Sequence, residues 1–136
     1  MKINLKRVDD AFEMIGTNEI GSTVHLDAAA SIGGGDSAFR PMQLLLVSLA
    51  SCSAIDILNI LYKKKQIVDD FEVDVDSERY PDPPTTFKTI TVTIKVTGDI
   101  DPIKLEKAIQ LTRDKYCSVY HMLKQASTIT YDYVIL

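Results

Sequence analysis

The sequence lacks the residue spacings that mark a structural zinc centre or a nucleotide-binding loop. Its two cysteines and two histidines form no C-x-x-C and no Cys/His cluster, so a zinc-ligand pattern is missing. The one glycine run, Gly33-Gly34-Gly35, has neither the G-x-x-x-x-G-K-[ST] nor the G-x-G-x-x-G context, and flexible backbone leading into a helix is the simpler expectation. Positive charge is not in surplus either. Fifteen Lys and Arg against nineteen Asp and Glu leave a net charge of -4, which points away from nucleic acid and from anionic membrane as partners. Met1 to Asp10 alternates polar and apolar residues and builds no apolar core, so no secretory leader is expected. A cytoplasmic protein with reduced thiols follows, in which any disulfide would be transient and either catalytic or redox-sensing.

What is present is a long apolar stretch. After Arg40-Pro41 no Gly or Pro interrupts the chain as far as Lys65, and Leu44, Leu45, Leu46, Ala50, Ala54, Leu58 and Leu61 favour helix. At 1.5 Å per residue the segment spans about 35 Å. With about 100° per residue, Ser48, Cys52, Asp56, Asn59 and Lys63 share one arc, and most other directions are apolar. Such a helix is expected to be wrapped by other elements, with Cys52 on its only polar strip. Asp56 and Asn59, with Ser48, Ser51 and Ser53, argue against a membrane span. The run Lys63 to Lys65 suits the negative end of the helix dipole.

Around this helix the pattern is α+β within a single domain of residues 1–136. Residues 2–9, 12–17 and 22–27 read as a three-stranded meander, with His25 as a strand residue. Phe71 to Tyr80 and Phe87 to Thr97 alternate as a second hairpin across the turn Pro81-Asp82-Pro83-Pro84, which Gly98 closes. Asp101-Pro102 marks a helix start, with Asp at the N-cap and Pro at the first helical position. That helix runs to Arg113, a break covers Asp114 to Tyr116, and a short helix begins at Cys117. Thr128 to Leu136 is a final strand. The two sets of strands form separate sheets or one sheet completed by a second subunit.

Cys117 therefore falls at a helix N-terminus, where free N–H groups and the dipole favour thiolate and Lys115 is close in sequence. Cys52 mid-helix and Cys117 at a helix start suit a peroxidatic and a resolving thiol. Two inert buried cysteines remain the alternative.

The segments RPMQLLLVSLASCSAIDI around Cys52 and LTRDKYCSVYHML around Cys117 resemble the OsmC/Ohr family of osmotically inducible and organic hydroperoxide resistance proteins. SERYPDPPTTFKTITVTIKVTG and TITYDYVIL follow the same order of elements. The Pro-Met-x-Leu-Leu opening of the helix is closer to the OsmC-like branch. The resemblance implies an intertwined homodimer with two long central helices and two interfacial sites, and a thiol peroxidase without metal or organic cofactor. Cys52 would attack an organic hydroperoxide, Cys117 would close a disulfide, and an external thiol reductant would reopen it. The family holds an Arg with a Glu beside the reactive thiol. Here Met42 or Gln43 stands at the acidic position, and Arg79 is the preferred cation, with Arg7 second. His121 lies on the face of Cys117 and could aid it, a structural histidine being the alternative. Without the Glu, a dimeric ligand-binding or redox-sensing module of the same fold is the second functional reading.

Overall fold

Short alternating segments joined by Asx turns can pair without any distant partner, and the start of the chain does so. The computed structural model describes all 136 residues, in two compact units, Met1–Leu46 and Val47–Leu136. In the first unit β1 (Ile3–Arg7), β2 (Met14–Asn18) and β3 (Thr23–Leu26) form an antiparallel sheet in that order. Asp9 Oδ1 accepts hydrogen bonds from the Ala11 and Glu13 amides at the first turn. Asn18 Oδ1 accepts from Ile20 and Ser22 at the second. His25 is exposed on β3, with Nδ1 3.8 Å from Glu13.

The glycine loop is not the flexible lead-in that its composition suggested. Asp27 is buried, and its carboxylate accepts from the amides of Ala28, Gly35 and Ser37 and from the Ser37 hydroxyl. Gly34 lies so close to the preceding chain that a Cβ there would stand 2.0 Å from the Ala28 carbonyl oxygen. Only glycine fits that approach.

Helix α1 (Pro41–Lys63) follows. The Arg40 carbonyl takes the first helical hydrogen bond from Leu44, and Gln43 Oε1 accepts the Arg40 amide at 3.0 Å. This is the reciprocal half of a capping box. The helix stops two residues before the expected Lys65, because Lys65 takes φ 55° and its amide bonds the Tyr62 carbonyl.

In the second unit β4 (Ile67–Arg79) pairs antiparallel with β5 (Phe87–Asp99), and β6 (Thr128–Ile135) joins β5 in parallel. Within the single chain the two sheets are separate. Gly98 does not close the hairpin. It continues β5 opposite Val68 at an irregularity in β4, with φ 139°, and a Cβ there would meet the Ile67 carbonyl oxygen at 2.1 Å.

The alternation in β5 works as expected. Ile90, Val92, Ile94 and Val96 are fully buried, each worth about 1.5–3 kcal/mol by apolar burial. Register places Val75, Val73 and Phe71 beside three of them on β4, and Tyr131, Tyr133 and Ile135 on β6. The opposite face is polar, with Lys95 paired to Glu72 and Asp74.

Helix α2 (Pro102–Leu111) has Asp101 as N-cap, accepting from the Ile103 amide at 2.9 Å, and buries Leu105, Ala108 and Ile109. The expected break is a π-helical turn, Thr112–Tyr116, after which Cys117 caps α3 (Ser118–Leu123).

The anchoring of the glycine loop makes a prediction. Hydrogen bonds, the Ser37 hydroxyl first, hold the Asp27 carboxyl below the usual carboxylate range. The stability it contributes is complete above about pH 4 and is lost as pH falls through its lowered folded value. Asp27→Ala is expected to speed hydrogen exchange of the Gly35 and Ser37 amides at neutral pH. In the native chain the same acceleration should appear only in acid.

Candidate active site

Helix α1 buries one narrow strip, Leu49, Ser53, Ile57 and Leu61, set at intervals of four residues. Ser53 is the one polar member and is wholly inaccessible. A buried hydroxyl needs partners, and Ser53 finds two. Its Oγ shares a 2.8 Å hydrogen bond with the Tyr131 hydroxyl on β6 and lies 3.7 Å from Cys117 Sγ.

That attachment sets the neighbouring residue of α1. Cys52 is half-buried and Cys117 fully buried, both as free thiols. Their two sulfurs and a carboxylate oxygen of Asp56 all lie within 4.8 Å of one another. Asp56 stands one helical turn after Cys52 and therefore on the same side of α1. Its Oδ2 is buried and receives no hydrogen bond, and burial raises its pKa.

Two influences compete at Cys117. As N-cap of α3, its sulfur accepts the Tyr120 amide at 3.4 Å, which favours thiolate. Burial opposes this and wins, pushing the thiol up to about 11, with the Cys52 thiol adding to the rise. Lys115, expected nearby as a cation, instead places its ammonium over the Tyr116 ring, 5.3 Å from the centroid. Burial likewise pushes the Tyr131 phenol up, so it remains a neutral donor at physiological pH. Tyr120 packs edge-on against Tyr131 and against His121, at 5.9 and 5.5 Å between centroids. His121 has a buried Nε2 without a hydrogen-bond partner.

The structure brings Cys52 and Cys117 together and leaves Arg79 elsewhere in its interactions. Arg79 ends β4, where its guanidinium donates to the Thr85 carbonyl at 2.6 Å and to the Thr85 hydroxyl at 2.7 Å. It bonds neither cysteine. Arg7 is exposed on β1. Gln43, at the position where an acid was expected, is occupied in capping α1. Arg113, on the π-helical turn, pairs with Asp114 at 2.8 Å and lies within electrostatic range of the Tyr120 and Tyr131 phenols. Sequence reasoning passed over Ser53, Tyr131 and Arg113. The usable signal for Ser53 was a hydroxyl set between Leu49 and Ile57 on an otherwise apolar strip.

A cleft of about 270 Å³ reaches Asp56, lined also by Asn59, Ile60, Lys63, Lys64, Leu111 and Tyr116. It provides a route from solvent to the carboxylate beside the thiols. The arrangement can form a disulfide after a small approach of the sulfurs, or hold an electrophile between them.

Comparison with known proteins places this geometry in a family. Residues 33–132 match the OsmC-like protein family model. Protein YhfA of Escherichia coli K12 is 35% identical over 137 aligned positions, covering 100% of this chain and 98% of its own. A hypothetical protein of Aquifex aeolicus superposes with TM-score 0.86 at 28% identity, covering 99% of this chain and 95% of its own. The organic hydroperoxide resistance protein OhrB of Bacillus subtilis has TM-score 0.64 at 18% identity, with 98% of each chain covered. At that identity OhrB shares the fold alone.

Two outcomes are expected from the site as built. Ser53→Ala leaves the Tyr131 hydroxyl buried without its partner and should cost about 1–3 kcal/mol in urea unfolding. Adding Tyr131→Phe should cost less than the sum of the single changes. The raised Cys117 value means that folded protein retains a proton the unfolded chain releases. Its contribution to stability is intact below about pH 8.5 and falls as pH rises toward 11. Alkaline unfolding curves of native protein and Cys117→Ala should converge across that interval.

Proposed function

The chain belongs to the OsmC-like protein family, and on that premise we propose that it is a cysteine peroxidase reducing organic hydroperoxides through Cys52 and Cys117. The observation that carries this reading is the approach of two free thiols, 65 residues apart in sequence, to within 4.8 Å. Of the two, Cys52 is the one that solvent reaches, which suits it to meet the substrate. Its thiolate attacks the distal peroxide oxygen; the O–O bond breaks, the sulfur becomes a sulfenic acid, and the alkoxide leaves as alcohol after taking a proton. Cys117 then attacks the Cys52 sulfur. Its proton departs with the expelled hydroxide as water, so the high pKa of Cys117 is met at the moment of bond formation. An external dithiol exchanges with the resulting disulfide, supplies the two electrons that restore both thiols, and leaves as its own disulfide.

The reading includes a homodimer. In the single chain α1 is not wrapped on all sides: Val47 is 41%, Ile55 68% and Tyr62 58% exposed, on a helix of mean hydropathy 2.1. An apolar strip of that kind is suited to a second copy of the same helix. It also accounts for a span long and apolar enough to cross a membrane in a protein proposed to be cytoplasmic. For the activating cation, Arg79 is proposed as a positioning group that would have to exchange its Thr85 contacts for the thiolate. Arg113, within electrostatic range of Tyr120 and Tyr131, is the alternative.

A redox-sensing or ligand-binding role is the second reading. It is favoured by one observation: Gln43, where the family carries an acid, is uncharged and is occupied in capping the helix.

Purified protein should consume cumene hydroperoxide with a dithiol at a rate Cys52→Ser abolishes. Cys117→Ser should stop at a dimedone-reactive sulfenic acid on Cys52. A peroxide-dependent disulfide without sustained turnover would select the sensor. Turnover undiminished by Cys52→Ser would sink both. Arg79→Ala and Arg113→Ala, compared by the pH dependence of Cys52 alkylation, identify the cation: the active one shifts the profile alkaline.

A further inference from the structure

We propose that reduced Cys52, Asp56 and reduced Cys117 form a binding site for a soft divalent cation of the zinc class, and that occupancy of this site slows disulfide formation. The three ligand atoms already lie within 4.8 Å of one another. Tetrahedral zinc, with Zn–S near 2.3 Å, holds two thiolates about 3.8 Å apart. Contraction of no more than about 1 Å is therefore enough. Asp56 Oδ2 is buried without any hydrogen-bond donor, a costly arrangement that a bound cation relieves.

The supporting groups also fit a metal-bound thiolate. Cys117 Sγ receives the Tyr120 amide and faces the Ser53 hydroxyl, which is itself held by Tyr131. Donors of this kind steady a ligating sulfur and tune its charge. Two sulfurs and one carboxylate favour zinc over magnesium or calcium, which take oxygen ligands. The fourth position remains for water or a small thiol. The cleft at Asp56 provides entry. Sequence spacing concealed the set, because its members come from mid-α1 and from the N-cap of α3.

Binding involves no oxidation. Each thiol that ligates gives its proton to solvent and the cation takes its place, drawing charge from both sulfurs and holding them apart, so attack on peroxide or on the other sulfur is slowed. The inference shares its two cysteines with the peroxidase reading but does not require turnover, and the metal titration that tests it uses no peroxide.

Reduced, anaerobic protein titrated with Co2+ should develop a thiolate-to-cobalt charge-transfer band, saturating at one equivalent per chain and displaced by Zn2+. Cys52→Ala and Cys117→Ala should abolish the band, and Asp56→Asn should weaken affinity at least about tenfold. In the unmutated protein, stoichiometric Zn2+ should slow iodoacetamide alkylation of Cys52, with a chelator restoring the rate. Absence of the band, its persistence in Cys117→Ala, indifference to Asp56→Asn, or alkylation unchanged by Zn2+ would each overturn the proposal. A band in protein that fails to consume cumene hydroperoxide would remove the peroxidase reading and leave this one standing.

Discussion

A single buried hydroxyl ties the long helix to the sheet. Ser53 sits in a strip of α1 whose other members are Leu49, Ile57 and Leu61, and burial of that apolar strip selects the face of the helix that turns inward. The hydrogen bond between the Ser53 and Tyr131 hydroxyls is directional. It sets the rotation of α1 against β6, and rotation decides which way Cys52 points. The same oxygen stands 3.7 Å from Cys117 Sγ, so one group registers both thiol-bearing elements. A change of one residue in helix phase would turn Cys52 by about 100° and dissolve the pair.

The thiols are held close in a setting that disfavours charge. Desolvation raises both Asp56 and Cys117, and the donors present are neutral: an amide, a serine and a phenol that burial keeps protonated. Such a site can be neutralised in three ways. Its acids can keep their protons, its sulfurs can join, or a cation can take the place of the protons. The proposed peroxide reaction and the proposed metal site are two of these outcomes, and they would compete because both use the same two sulfurs.

How far this could be read in the sequence depended on the range of the interactions. Local chemistry was legible. Asp101-Pro102 specified its helix start, the Val/Ile alternation of β5 specified its buried face, and Asp9 and Asn18 marked the turns of the first sheet. Long-range convergence was not. Nothing in the spacing of Cys52 and Cys117 places them together, and that expectation came from resemblance. The polar arc Ser48-Cys52-Asp56-Asn59 was real, but the buried polar residue lay off it at Ser53. The glycine loop misled for a related reason: composition suggests freedom, whereas Asp27 and the close approach at Gly34 remove it. Gln43 shows the same limit, since a glutamine three residues after an N-cap has a local task that no family pattern would reveal.

The exposed side of α1 bears on the chemistry as well as on assembly. Cys52 is half-buried in one chain, and a sulfenic acid open to water and to further peroxide proceeds to sulfinic acid, from which ordinary thiols cannot recover it. Covering Val47, Ile55 and Tyr62 with a second helix would bury apolar surface on the same element that carries Cys52. The cleft lined by Asp56 opens on the same helix. Asp56 therefore belongs both to that cleft and to the group of atoms within 4.8 Å of one another at the thiols.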